Sequence, residues 1–91
     1  MAGKTITVEV GGHKIEVDQD KTKSWKALRL INNIEGKEGT SRVIALMSFV
    51  EYASGMGETE ILELLGGEDT SVETVVSFAT EFIGSCYPKN S

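Results

Sequence analysis

"RVIALMSFVEYASG", residues 42–55, decides the fold, because its apolar side chains point in every direction around a helix. A helix that is apolar all round is buried on most of its sides. Gly55 supplies a natural end for this helix. Either the remainder of the 91-residue chain wraps the helix, or another protein chain covers what is left.

Two interpretations of this helix stay open at the level of sequence. The stripe predicted to face the core consists of Val43, Leu46, Met47, Val50 and Ala53. Three further apolar side chains, Ile44, Phe49 and Tyr52, are predicted to point elsewhere, where they are either enclosed by the other elements or form a surface for a partner. We expect the partner surface, since each other element offers only one apolar face. The residues predicted to bind a partner are Trp25, Ile44, Met47, Phe49, Tyr52 and Met56.

Residues 5–18, "TITVEVGGHKIEVD", alternate strictly between apolar and polar side chains, which is typical of two half-buried strands. Gly11 and Gly12 lie between the strands and supply the positive φ angles of a two-residue hairpin turn. The turn predicts a register with three facing pairs: Val8 and Ile15, Ile6 and Val17, and Glu9 and Lys14.

Four helices are predicted from apolar periodicity, at about residues 22–35, 41–54, 59–65 and 71–86. The apolar stripe of the first consists of Ala27, Leu28, Leu30, Ile31 and Ile34. The apolar face of the last consists of Val72, Val75, Val76, Ala79, Phe82, Ile83 and Cys86. The predicted fold is α+β: an N-terminal β-hairpin followed by a mostly α-helical bundle of three longer helices and one short one, in a single domain over residues 1–91.

Hydroxyl side chains mark the predicted helix starts. Thr40 or Ser41 is expected to cap the second helix, and Thr59 the short one. Residues 70–73, "TSVE", have the pattern of a capping box for the last helix.

Composition and charge indicate the class of protein. Hydrophobic residues make up 40% of the chain and charged residues 25%, and Cys86 is the only cysteine. A chain with one cysteine cannot form an internal disulfide, and residues 1–10 lack the apolar stretch of a signal peptide. No apolar run is long enough to span a bilayer. The sequence therefore predicts a soluble, intracellular protein that does not enter membranes.

The charges are distributed unevenly along the chain. Residues 1–50 carry a net +2 and residues 51–91 a net −7, which together give the formal net charge of −5. The two regions are either two solvated faces or complementary surfaces that join copies head to tail. An acidic total disfavours nonspecific binding to nucleic acid.

The side chains that could perform chemistry are isolated in sequence. His13, the only histidine, lies at the hairpin tip, and Cys86 lies on an apolar helix face. Residues 18–29 begin like a calcium loop, but Lys23 stands where the glycine is required and Arg29 where the bidentate acid is required. We therefore predict no enzyme activity, no tightly bound metal and no cofactor.

Two classes of function follow from the residues alone. The first is a small, acidic, self-associating module that holds another chain through exposed apolar surface. The second is a helical DNA-binding regulator that would contact phosphates through Lys21, Lys23, Lys26 and Arg29, although no helix-turn-helix spacing is present.

The order of elements resembles the small tail assembly chaperones of long-tailed phages and prophages of Gram-positive bacteria. The resemblance covers roughly residues 5–84: a hairpin, the helix "SWKALRLINNIEG", the helix end "SFVEYASG", the short acidic "TEILELLGG" and the final "SVETVVSFATEFIG". Residues 56–59 form a shorter segment than that family leads us to expect.

The resemblance implies a non-enzymatic protein of the host cytoplasm that is absent from the mature virion. Such chaperones bind the tape measure protein and keep it soluble while tail tube protein polymerises around it. Many also occur as a longer frameshifted form. Several copies on one long client imply a homo-oligomer.

Overall fold

An antiparallel β-hairpin followed by five helices forms the fold, in a computed structural model that describes residues 4–87. This arrangement confirms the predicted α+β class. The elements in chain order are β1 Thr5–Val10, β2 His13–Asp18, α1 Gln19–Thr22, α2 Trp25–Glu35, α3 Thr40–Ser54, α4 Glu58–Leu65 and α5 Val72–Cys86. No helix within residues 4–87 combines the length and the apolar character that crossing a membrane requires.

The hairpin has the register that the sequence predicts. Val8 pairs with Ile15, Ile6 with Val17, and Glu9 with Lys14. Gly11 and Gly12 form the turn with φ angles of 56° and 85°, which residues with a Cβ atom rarely adopt. The side chains of one face are buried, because β1 packs on α5 and β2 packs on α3. This buried face consists of Val8, Val10, Ile15 and Val17.

The polar segment after β2 forms a helical turn that the sequence did not predict. Asp18 caps α1, and its carboxylate accepts hydrogen bonds from the backbone N–H groups of Asp20 and Lys21. Ser24 then caps α2 by accepting from the N–H of Ala27 at 3.1 Å. The helix predicted to begin near residue 22 therefore begins at Trp25.

The residues that cap α3 and α4 differ from the predicted ones. Gly39, not Thr40 or Ser41, precedes α3, so Thr40 and Ser41 lie inside the first turn of the helix. Gly57, not Thr59, precedes α4, and its N–H donates to the carboxylate of Glu60 at 2.9 Å.

The last helix has a different cap because two adjacent hydroxyl side chains take different roles. Ser71 caps α5 by accepting from the N–H of Thr74 at 3.2 Å. The Thr70 hydroxyl instead donates to the carbonyl of Gly67 at 2.6 Å, inside the preceding turn. The predicted capping box over residues 70–73 is therefore wrong by one residue.

Helix α3 lies at the centre of the core, where it contacts α1, α2, α4, α5 and β2. Phe49 is 0% exposed, and its ring lies 6.4 Å from that of Phe82 and 6.1 Å from that of Tyr87. The prediction that Phe49 points away from the core is wrong, because α5 covers this side of the helix as well. The buried residues of α3 are Ala45, Leu46, Phe49, Val50 and Ala53.

Candidate protein-binding surfaces

An apolar groove runs along the part of α3 that the rest of the chain leaves open. We call it the α3–α4 groove; its volume is about 300 Å³, and its lining residues are Val43, Ile44, Met47, Ser48, Glu51, Glu58, Leu62 and Val75. Ile44 is 67% exposed, whereas Met47 is partly buried against the core. Glu51 and Glu58 add negative charge to an otherwise largely apolar lining. The groove can therefore receive an apolar side chain whose neighbours are basic.

A second exposed apolar surface lies on α2, and we call it the α2 face. Trp25 is 72% exposed and Leu28 is also exposed. Trp25, Lys26 and Arg29 line one depression together with Leu30, Asn32 and Asn33. The exposure of Leu28 corrects the prediction that it belongs to the buried stripe of this helix. The α2 face thus combines an indole and an isobutyl group with two cations.

A third concave surface lies between the hairpin tip and α5, and we call it the hairpin–α5 groove. Its volume is about 410 Å³, and its lining residues are Val10, Gly11, His13, Leu64, Leu65, Glu73, Thr74, Ser77, Phe78 and Glu81. Leu64 is exposed, while Val10 and Phe78 are buried beneath the surface. Glu73 and Glu81 are exposed and lie eight residues apart on the same helix, which is about 12 Å along its axis.

Tyr52 joins α3 to α2 and is only partly buried. Its hydroxyl lies 2.9 Å from that of Ser24. The ammonium groups of Lys21 and Lys26 lie 5.4 Å and 5.1 Å from the centroid of its ring, within the range of a cation–π contact. Contacts within the fold therefore occupy the polar atom and the ring of Tyr52, which was predicted to bind a partner.

The six residues predicted to bind a partner do not form one surface. Ile44 and Met47 lie together in the α3–α4 groove, and Trp25 lies apart from them on the α2 face. Met56 follows α3 and packs partly buried against the core. Phe49 is inaccessible in this structure, which corrects its assignment to the partner surface.

The sequence did not predict the surface positions of several apolar residues, because their helices suggested a core stripe for them or no surface at all. Val72 is exposed at the start of α5 instead of facing the core. The leucines of α4 divide between two surfaces, with Leu62 in the α3–α4 groove and Leu64 in the hairpin–α5 groove. The segment 61–65, four apolar residues interrupted by Glu63, is too short to reveal such a division by its periodicity.

The end of α5 carries two groups with shifted ionisation. Burial raises the pKa of the Cys86 thiol to about 11, so the thiol stays protonated and a poor nucleophile near neutral pH. Burial also raises the pKa of Tyr87, with smaller effects from Cys86 and Tyr52. The Tyr87 hydroxyl donates to the carbonyl of Thr22 and so ties the end of α5 to α1.

Within residues 4–87, no three His, Cys, Asp or Glu side chains cluster as a set of metal ligands.

The chain matches no family model, and neither a curated protein nor a solved structure has significant similarity to it. The three surfaces described above are therefore the structural basis for a functional proposal.

Proposed function

We propose that this protein is a non-enzymatic assembly chaperone that holds an apolar helical segment of another protein chain in the α3–α4 groove. The observation that carries the proposal is the exposure of Ile44 on a helix whose other sides form the core. Burying an isoleucine exposed to this extent, beside Met47 and Leu62, would stabilise a complex with a partner chain.

The lining of the groove suits a helical client. Val43, Ile44 and Met47 occupy positions i, i+1 and i+4 of α3, so they line the same side of the groove. There they can pack against the apolar stripe of a second helix. Met47 adds a flexible side chain that adapts to different neighbours. Glu51 and Glu58 favour clients that carry Lys or Arg beside the stripe. Contacts of this kind are individually weak, which permits exchange along a client.

The particular client follows from the resemblance to the small tail assembly chaperones of phages and prophages. A tape measure protein is a long helical chain, and its apolar stripe aggregates when exposed. In our proposal the chaperone covers this stripe in the cytoplasm of the bacterial host, and tail tube protein displaces the chaperone as it polymerises. The chaperone then stays out of the mature virion. Many copies act on one client, and self-association of the chaperone is part of the proposal.

The DNA-binding alternative has less support from the arrangement of the basic side chains. Lys21 and Lys26, two of the four basic residues assigned to phosphate contacts, have their ammonium groups against the ring of Tyr52. The formal net charge of −5 also opposes binding to a polyanion. A heparin column separates the two functions, because only the regulator would be retained in a salt-dependent way.

Coexpression with a tape measure protein tests the chaperone function. The gene to use is the one for a very long, helix-rich protein directly downstream of this reading frame. We expect the client to be soluble with the wild-type chaperone and to precipitate with the Ile44→Lys variant. Thr80→Lys is the matched control, since Thr80 is exposed on α5 and lines none of the three surfaces. A client that precipitates equally with and without the wild-type chaperone contradicts the proposal, as does a locus with no such gene.

A further inference from the structure

The α2 face and the hairpin–α5 groove carry opposite charges, and both expose apolar side chains. The α2 face projects an indole from the first residue of the helix, whereas the hairpin–α5 groove is concave with apolar side chains in its lining. We infer that the two bind each other between copies of this chain: Trp25 of one copy enters the hairpin–α5 groove of the next. This inference rests on the self-association included in the proposed function and assigns the surfaces that form it.

The exposure of Trp25 and the volume of the groove support this contact. Trp25 is largely exposed, so its insertion would remove a large apolar side chain from water. Val10, Leu64, Leu65 and Phe78 provide apolar lining in a groove of about 410 Å³, which has room for an indole ring. Tryptophan and arginine are the residues most often found at the energetic centre of protein interfaces.

The charged side chains of the two surfaces have opposite signs. No acidic residue lies between Trp25 and Ile34 on α2, and no basic residue lies between Glu58 and Cys86 on α4, α5 and their connection. Arg29 lies one turn after Trp25, on the same side of the helix, and Lys26 lines the same depression. Arg29 would approach Glu73 or Glu81, which are exposed in the lining of the hairpin–α5 groove, whereas the ammonium group of Lys26 lies over the Tyr52 ring of its own copy. The pairing also disfavours contacts between two like faces.

The contact can repeat from copy to copy. The α2 face and the hairpin–α5 groove share no residue and belong to different elements, so a copy bound through one surface still presents the other. Contacts between two different patches extend into rings or filaments, whereas a patch that binds its own counterpart closes as a dimer. Neither surface uses Ile44 or Met47, so the α3–α4 groove stays open to a client.

Sedimentation of the purified full chain, without any client, tests the inference. We expect the average mass to rise with protein concentration and to fall in high salt, which screens the charge pairs. Trp25→Ala should lower the association constant at least about tenfold, as expected for a tryptophan at the centre of an interface. Arg29→Glu should also weaken association, and Lys37→Glu is the control with the same charge change outside both surfaces.

Two further samples distinguish this contact from other forms of self-association. Adding Glu81→Lys to Arg29→Glu should restore the association that either substitution weakens alone. An equimolar mixture of Trp25→Ala and Glu81→Lys chains should form pairs that do not extend, since one member retains the groove and the other retains the tryptophan. A wild-type protein that stays monomeric at millimolar concentration overturns the inference, as does a Trp25→Ala variant that associates like the wild type. Because no client is present, either result leaves the solubility test of the chaperone function independent.

Discussion

The Tyr52 hydroxyl lies 2.9 Å from the Ser24 hydroxyl, and this contact fixes α3 against the first turn of α2. Ser24 donates its single hydroxyl proton to the carbonyl of Lys21 at 2.7 Å. Tyr52 must therefore be the donor to Ser24, which also accepts from the N–H of Ala27. One side-chain oxygen thus caps α2, closes the turn after α1 and binds the central helix.

Tyr52→Phe removes the donor of this contact while keeping the ring beneath Lys21 and Lys26. We expect the free energy of unfolding to fall by about 0.5–1.5 kcal/mol, the usual contribution of one hydrogen bond. The loss is modest because Ser24 still accepts from Ala27. Urea unfolding followed by circular dichroism measures it, and an unchanged midpoint would show that the hydroxyl contributes nothing to stability.

Phe49 and Ile44 lie on the same helix, but their truncation to alanine should change the free energy of unfolding by very different amounts. Phe49→Ala leaves a cavity between Phe82 and Tyr87, and we expect a loss of about 3–5 kcal/mol in the free energy of unfolding. Ile44→Ala should change it by less than about 0.5 kcal/mol, because the side chain is exposed. Thermal melts of the two variants check both values, and equal losses would contradict the assignment of Ile44 to an open surface.

The cap of α5 can be tested against a hydroxyl that caps nothing. Ser71→Ala removes the acceptor for the N–H of Thr74 and should lower the free energy of unfolding by about 1 kcal/mol. Thr59→Ala should be nearly neutral, because Gly57 precedes α4 and Thr59 is exposed within its first turn. Denaturant midpoints of the two variants decide, and a larger loss for Thr59→Ala would favour the start predicted from sequence.

The sequence predicted the hairpin in full and the central helix only in part, for a physical reason. Alternation with period two states which face of each strand is buried, and the glycine pair leaves one register. A helix that is apolar all round has no such preferred side. Its sequence therefore could not say that Phe49 faces α5 while Ile44 faces solvent. That distinction depends on how α2, α4 and α5 are placed around α3.

The caps of α3, α4 and α5 were mispredicted by one or two residues for a different reason. Thr70 and Ser71 are chemically equivalent candidates for a cap, and the choice between them is made by the turn at Gly67. Gly39 and Gly57 precede their helices without a side-chain oxygen, which a search for hydroxyl caps overlooks. The candidate surfaces were likewise hidden, because Leu28 and Val72 fit the apolar stripes of their helices yet lie exposed.

Alkaline pH should destabilise the protein through Cys86. Its pKa is about 11 in the folded protein and 9.0 without the burial, so between these values the unfolded chain loses a proton that the folded chain keeps. The free energy of unfolding therefore falls as pH rises through this window, and the raised pKa of Tyr87 acts in the same direction. Melts of the wild type and Cys86→Ala from pH 8 to 11 test this, since the variant should lose stability less steeply. An equal decline in both would assign the effect to other groups.

Trp25 is the only tryptophan, so its fluorescence reports on the α2 face alone. Because its side chain is 72% exposed, dilute protein should emit like free tryptophan in water and be quenched efficiently by acrylamide. Insertion into the hairpin–α5 groove would surround the indole with Leu64, Leu65 and Phe78, so emission should shift to shorter wavelength and quenching should weaken as concentration rises. The Glu81→Lys variant, whose groove repels Arg29, should keep the dilute spectrum at every concentration. A shift of equal size in that variant would place Trp25 against some other surface.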